Sequence, residues 1–250
     1  MGITLMTSAG GYYSNVYPNS GAHNSIYRGK FLGHVVTNEQ FNQISAGTFN
    51  DMFIGDYWTT SDGDYTWRIA AFDYFIGSGD TACTDHHVVI VPDEAITFAA
   101  MNKTDTTVGG YVGSNMYKSI IKELGNLIRS MFGDHALTHR IYLTDGVANG
   151  HAASGDWYDS EVDLMCEQMV YGSGIFSPVS GSGIPPVNHR VEKSQLPLFQ
   201  HEPSRIRIGR DWWLRDVITD SAFAAVNKFG NASYYNARFN LGVRPYFCIK

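Results

Sequence analysis

His135 and His139 stand four residues apart, a spacing that on a helix would turn both imidazoles toward one metal ion. Gly133 and Asp134 break the helix just before them, and residues 138–144 read as a strand, so no shared ligand face is expected. His86 and His87 are adjacent and would point to opposite sides of a strand. Asp56, Asp62 and Asp64 have the acidity of a calcium loop without the EF-hand spacing, and turn chemistry accounts for all three. Cys166 falls in an apolar helical stripe, where a thiol reads as packing rather than as a nucleophile. The turn Gly109-Gly110-Tyr111-Val112-Gly113 opens a helix as an anion site would, but lacks the Lys of a phosphate loop. Neither a Gly-x-Ser-x-Gly elbow nor a His-Glu-x-x-His pair occurs. These residues predict a protein that is not an enzyme and that carries no metal and no cofactor.

Composition narrows the partners. The 250 residues carry a formal net charge of -6, opposite to the footprint that a nucleic-acid backbone requires. Arg205, Arg207 and Arg210 are the nearest approach to a basic cluster, and their alternation reads as one solvated strand face, so no nucleic acid is expected. No apolar run reaches membrane-spanning length, and no membrane insertion is expected. Cys83, Cys166 and Cys248 are odd in number and far apart, which is not a disulfide framework and suits folding in a reducing cytoplasm. No leader pattern is recognisable in the residues that follow Met1. With 26 Gly, 15 Tyr and only 17% charged residues, the chain reads as a loop-rich, β-containing surface protein.

The elements that must position any site centre on the last forty residues. Trp212-Trp213-Leu214-Arg215 and Leu241-Gly242-Val243-Arg244-Pro245-Tyr246-Phe247 read as strands, because aromatic and β-branched residues are bounded there by Gly, Asp and Pro. Arg215 and Arg244 lie inside these apolar runs and must be paired and hydrogen-bonded there, which makes them structural. The stretch between the two runs, rich in Asn, Gly and aromatic residues, reads as a loop packed by its own side chains. Upstream, the Asp62-Gly63 turn predicts a hairpin within residues 52–75, and the apolar run from Val88 to Val91 predicts a central strand. Thr37 and Gln40 form a capping box before a short helix with Phe41 and Ile44 inward. The longest helix should cover residues 115–132, capped by Ser114 and stopped by Gly133, with Met116, Ile120, Ile121, Leu124, Leu127, Ile128 and Met131 as its buried stripe. A second helix is expected over residues 160–171, with Ser160 and Asp163 as its capping pair. Residues 177–188 read as a surface loop, and residues 1–30 as either a disordered tail or an aromatic arm that docks on a neighbour.

The Trp-Trp-Leu-Arg and Gly-Val-Arg-Pro-Tyr-Phe segments, with Ile54-Gly55-Asp56-Tyr57-Trp58 and Trp67-Arg68-Ile69-Ala70-Ala71-Phe72-Asp73, resemble a C-type-lectin-like fold over residues 50–250. The resemblance is to the branch that holds formylglycine-generating enzymes, the variable proteins of phage diversity-generating retroelements, and domains of phage and gut bacterial surface proteins. It implies an α+β fold of small twisted antiparallel sheets flanked by two helices with long ordered loops, residues 31–250 forming one domain behind the arm of residues 1–30. It also implies a phage virion structural protein, tail- or capsid-associated, that recognises a host cell-surface glycan or protein or attaches to other virion proteins as a homo-oligomer, a trimer. The recognition surface of the variable proteins corresponds here to residues 218–240, which gives Tyr234, Tyr235, Asn236, Arg238 and Asn240 as ligand-binding residues with Phe229 and Phe239 anchoring inward. A bacterial cell-surface adhesin and a formylglycine-generating-type oxidase are the alternatives. The reactive cysteine pair of that oxidase and the calcium motifs of the sugar-binding lectins have no counterpart here.

Overall fold

The computed structural model describes residues 19–60, 63–177 and 194–250. The described chain is α+β, with three sheets and few helices. The first sheet has the order β1 (Phe31–Gly33), β2 (Tyr57–Thr59), β3 (Thr66–Phe72), β4 (Val88–Pro92), β13 (Pro245–Ile249) and β8 (Val162–Leu164). Its β1–β2 pair is parallel and the rest is antiparallel. The apolar runs predicted for β4 and β13 are buried throughout, as strands covered on both faces must be. The second sheet has the order β11 (Ala232–Asn236), β10 (Ala222–Val226), β9 (Trp212–Val217), β12 (Leu241–Val243) and β5 (Thr97–Ala99). The third is a long hairpin of β6 (His139–Ala148) and β7 (His151–Ser160).

Trp212 and Trp213 bury their rings in the second sheet by facing small partners. Ala225 pairs with Trp213, and each indole N–H donates to a backbone carbonyl, Trp212 to Ile206 at 3.2 Å and Trp213 to Ala99 at 2.9 Å. The run that ends the chain crosses between the sheets at Arg244, the single residue separating β12 from β13. Its guanidinium is buried, donating to the carbonyls of Pro92 (2.8 Å) and Arg205 (2.9 Å) and lying 5.1 Å from the Trp212 ring centre and 5.6 Å from that of Phe199. Carbonyls and ring faces thus do the work that a carboxylate was expected to do. The nearby Asp93 carboxylate is taken by Arg68 and Arg205. Burial pushes the Arg244 guanidinium down to about 9, which still leaves it charged at neutral pH. Arg215, also buried, donates to the Leu164 carbonyl at 2.6 Å and so ties β9 to β8.

Six helices accompany the sheets among the described residues: α1 (Ser20–Asn24), α2 (Asn38–Ser45), α3 (Gly110–Gly113), α4 (Lys122–Phe132), α5 (Glu167–Tyr171) and α6 (Pro197–His201). The capping box of Thr37 and Gln40 opens α2, and Phe41 and Ile44 are its buried residues. The long helix begins near Ser114, whose Oγ accepts from the Tyr117 amide at 3.1 Å, and stops at Gly133 with φ 55°. Its first part, Met116–Ile121, is a π-turn rather than α-helix. Met116 and Ile121, its two buried residues, stand five apart, the step of the i→i+5 hydrogen bond that defines such a turn. Met131, expected within the stripe, is 38% exposed in the last turn.

Several expectations are corrected. The second helix covers Glu167–Tyr171 alone, because Val162–Leu164 instead supplies the strand that pairs with β13, with Val162 opposite Phe247. Long-range pairing outweighed a local helical pattern there. The second of the two expected helices is therefore shortened to five residues. The stretch between Trp213 and Leu241 is a hairpin, β10–β11, and not a loop. Asp56 is fully buried and accepts from Arg28 and from the amides of Lys30 (2.7 Å) and Phe53 (2.9 Å), a role beyond turn chemistry. Residues 19–30, expected in an arm reaching a neighbour, pack on their own domain. The Asn24 amide donates to the Phe72 carbonyl (2.9 Å) and accepts from its N–H (2.8 Å), and His23 is buried among Phe49, Phe53 and Phe72. Residues 1–18, Ser61, Asp62 and most of the loop expected over 177–188 lie outside the described residues.

Replacing Arg244 with Ala strips a cation from two ring faces and removes the donor from one buried and one part-buried carbonyl, at a cost of about 3–5 kcal/mol. Trp213→Ala should cost a similar amount through its cavity. Urea midpoints measure both. An Arg244→Ala protein within about 1 kcal/mol of wild type would show that the crossing does not depend on the guanidinium.

Candidate functional site

β11 is an edge strand of the second sheet, lying on β10 and β9, whose residues are almost all buried. Its own residues alternate, so that successive side chains leave opposite faces. Tyr234 points out and is 48% exposed, with its ring edge-on to that of Phe176 at 5.2 Å. Tyr235 takes the other face, half-buried, its hydroxyl donating to Asp211 at 3.2 Å and its ring perpendicular to Trp213. Burial and the Asp211 charge raise the Tyr235 phenol above its ordinary range. Asn236 and Arg238 are exposed but fixed, both held by Asp105. The Asn236 amide donates to it at 3.3 Å, the Arg238 backbone N–H at 3.2 Å and the Arg238 guanidinium at 3.0 Å. Asn240 is exposed.

Of the five predicted residues, Tyr234, Asn236, Arg238 and Asn240 thus share the exposed edge region of β11 and the turn after it, while Tyr235 acts as an anchor. The expected anchors are reversed. Phe229 is 65% and Phe239 47% exposed. Phe229 sits at the hairpin tip, where the Asn227 side chain accepts from the amides of Phe229 (2.9 Å) and Asn231 (3.1 Å) and so shapes a turn with no core beneath it. The inward position next to Phe239 goes instead to Ala237, which is fully buried.

Phe176 is an unpredicted member of this surface, and Glu167 is what places it. The Glu167 carboxylate, fully buried, accepts from the amides of Ile175 (2.8 Å), Phe176 (3.0 Å) and Ser177 (2.9 Å) and from the Ser177 hydroxyl (2.7 Å). Backbone donors converging on a buried carboxylate lock a loop that would otherwise be free. The one available sign in the sequence was a charge inside an apolar stripe.

The remaining candidates do not assemble. His135 stacks on Phe41 and bonds the Lys250 carbonyl, whereas His139 is buried against Phe75 and Tyr246. His86 engages Asp73, and His87 receives the Phe75 amide. Among the described residues no three His, Cys, Asp or Glu side chains are grouped to hold a metal ion, and no disulfide joins Cys83, Cys166 and Cys248. One buried polar cluster stands apart. Asp163 accepts from the hydroxyls of Tyr111 (2.5 Å) and Ser160 (3.1 Å), and burial pushes its carboxyl up to about 6, with Arg215 and these donors opposing the rise. No family model, no curated protein and no solved structure matches the chain.

Burial pushes the His139 imidazole down to about 3 from 6.5. The unfolded chain therefore binds a proton through this range that the folded chain does not, so stability is full above 6.5 and is lost as pH falls toward 3, by about 4–5 kcal/mol. Asp163 acts in the opposite sense, since its folded carboxyl keeps a proton above the ordinary 3.8, and stability falls as pH rises from there to about 6. Urea midpoints across this range should show His139→Leu losing the acid-side decline and Asp163→Asn deepening it. Unchanged profiles in both variants would refute these assignments.

Proposed function

We propose that this chain is a non-enzymatic virion structural protein of C-type-lectin-like fold that recognises a host surface, or attaches to another virion protein, through the exposed side of β11 and its flanking turns. The observation that carries the reading is the contrast across one sheet: β9 and β10 are buried almost throughout, while the edge strand and the turn after it present Tyr234, Asn236, Arg238 and Asn240 to solvent. Tyr offers rigid contact area at low entropic cost, and Asn offers both donors and acceptors to a glycan or a protein epitope. Fixing Asn236 and Arg238 on Asp105, and Phe176 by way of Glu167, lowers the ordering cost that binding must meet. The fold reading is supported by the way the Trp-rich strand and the final strands share a sheet, Trp212 pairing with Gly242, with the intervening hairpin on its edge. Such a virion protein acts as a homo-oligomer, a trimer, in keeping with the multivalency of surface attachment.

The test replaces Tyr234, Asn236 and Asn240 together with Ala and leaves Tyr235 in place. Exposed positions of this kind should change stability by less than about 1 kcal/mol, while adsorption of particles to host cells should be abolished. Adsorption that persists in a normally folded variant would move recognition off β11. Light scattering of the full chain should give the mass of a trimer, and a monomer at micromolar concentration would contradict the oligomeric part.

A further inference from the structure

Away from β11, a cleft of about 410 Å³ opens between α4 and the segment that joins β7 to β8. That volume lies within the range of small-ligand sites. The helix side contributes Tyr117, Lys122, Gly125 and Asn126, and the sheet side Asp159 and Glu161.

Gly125 is the least expected residue in this wall. Glycine within a helix costs about 1 kcal/mol relative to alanine, and a close neighbour or a positive φ commonly explains it. Gly125 has neither, since a Cβ built there would meet nothing within 4 Å. By contrast Gly113, Gly146, Gly155 and Gly242 would each bring a Cβ within 3 Å of a neighbouring atom. The residue keeps the cleft open rather than letting chain segments approach.

The polar groups around the opening fall into two sets. The carboxylates are held in place, Glu161 by Arg129 (2.6 Å) and Thr138 (3.1 Å), and Asp159 by Arg140 (3.2 Å). Among the described residues the Tyr117 hydroxyl, the Lys122 ammonium and the Asn126 side-chain amide have no hydrogen-bond partner, and all three residues line the cleft. Tyr117 is carried on the π-turn, a feature frequent at functional sites, and its ring is pinned edge-to-face by Tyr111 (5.3 Å) and Tyr158 (6.3 Å). Tyr117 and Ile121 add apolar surface to a lining that is otherwise mostly polar.

A ligand that complements this lining has one C–H-lined face and a circumference of groups that both donate and accept. A polyphosphate is disfavoured by the two fixed carboxylates, and a purely apolar molecule by the charged rim. We propose that the cleft is a saccharide subsite that seats one pyranose unit on the Tyr117 ring, with its hydroxyls bonded by Lys122, Asn126 and Asp159. A sugar hydroxyl can give a hydrogen bond to a carboxylate and accept one from an ammonium, and the negative ring face favours the polarised C–H groups of the sugar. This site is separate from the β11 surface and does not depend on it.

The experiment is saturation-transfer NMR on the full chain with free glucose, galactose, mannose, N-acetylglucosamine and N-acetylgalactosamine at millimolar concentration. At least one sugar should show transfer. Gly125→Leu, which fills the cleft with a better helix former, should melt no lower than wild type and weaken that sugar at least about tenfold. Asn126→Ala, at an exposed helix position, should also weaken it and serves as the second variant should leucine disturb the fold. The proposal is overturned by absence of transfer from all five sugars, or by wild-type affinity in both variants. Transfer that survives Gly125→Leu but is lost on replacing Tyr234, Asn236 and Asn240 would place the sugar on β11 and overturn it equally.

Discussion

A buried guanidinium sets the geometry on which the rest of this fold depends. Arg244 occupies the one position where the chain leaves one sheet and enters the other, and its hydrogen bonds reach the end of β4 and the turn before β9 while its plane lies near Trp212 and Phe199. An arginine suits this place better than a lysine would. Its planar fork can donate in several directions at once and lie against a ring face, and it is weakly hydrated enough to be buried. Because Pro245 follows directly, the crossing residue is also held in extended backbone. That side chain ties the sheets together at the crossing, as Arg215 does where β9 meets β8, and every surface carried on the sheet edges inherits the resulting alignment.

The same device, a buried charge satisfied by backbone, recurs with the opposite sign. Asp56 gathers Arg28 and two amides, and Glu167 gathers three amides and a hydroxyl. Each carboxylate orders an irregular loop by binding its backbone amides directly. Cores do not easily order such loops, since short irregular segments bury too little area to offset their lost entropy. Charged hydrogen bonds, roughly twice as strong as neutral ones, can do so provided that all of the acceptor sites are used. This explains how a chain rich in glycine and turn residues still presents fixed loops.

What was legible in the sequence was whatever is encoded locally. The capping box at Thr37, the stop at Gly133, the apolar run of β4 and the Trp-rich β9 all appear where their residues place them. The exposure of Tyr234, Asn236, Arg238 and Asn240 also followed from their types. What was not legible depended on distant partners. Val162-Asp163-Leu164 carries too few residues to declare a strand until β13 lies beside it. Phe229 and Phe239 look like anchors by composition, and only the hairpin tip and the buried Ala237 show which positions face inward. The β6–β7 hairpin had a local signal that the strand reading over 138–144 left unused: Asn149-Gly150, both at positive φ (52° and 76°), is the residue pair that a tight hairpin turn favours.

The division of labour along the last forty residues follows from strand position. A central strand has neighbours on both edges, and here on both faces as well, so each side chain of β9 or β10 is constrained by several others and a change is felt as cavity or overlap. An edge strand has one neighbour. Half of the β11 side chains meet the sheet and half meet solvent, so Tyr235 answers to packing whereas Tyr234 and Asn236 do not. An edge also risks pairing with other chains, a hazard that charge and irregularity reduce. β11 is only five residues long and runs into Arg238, whose ion pair with Asp105 anchors the strand's end to the loop before α3. The interaction that fixes the exposed surface thus also supplies the charge at the strand's end that discourages unselective strand pairing.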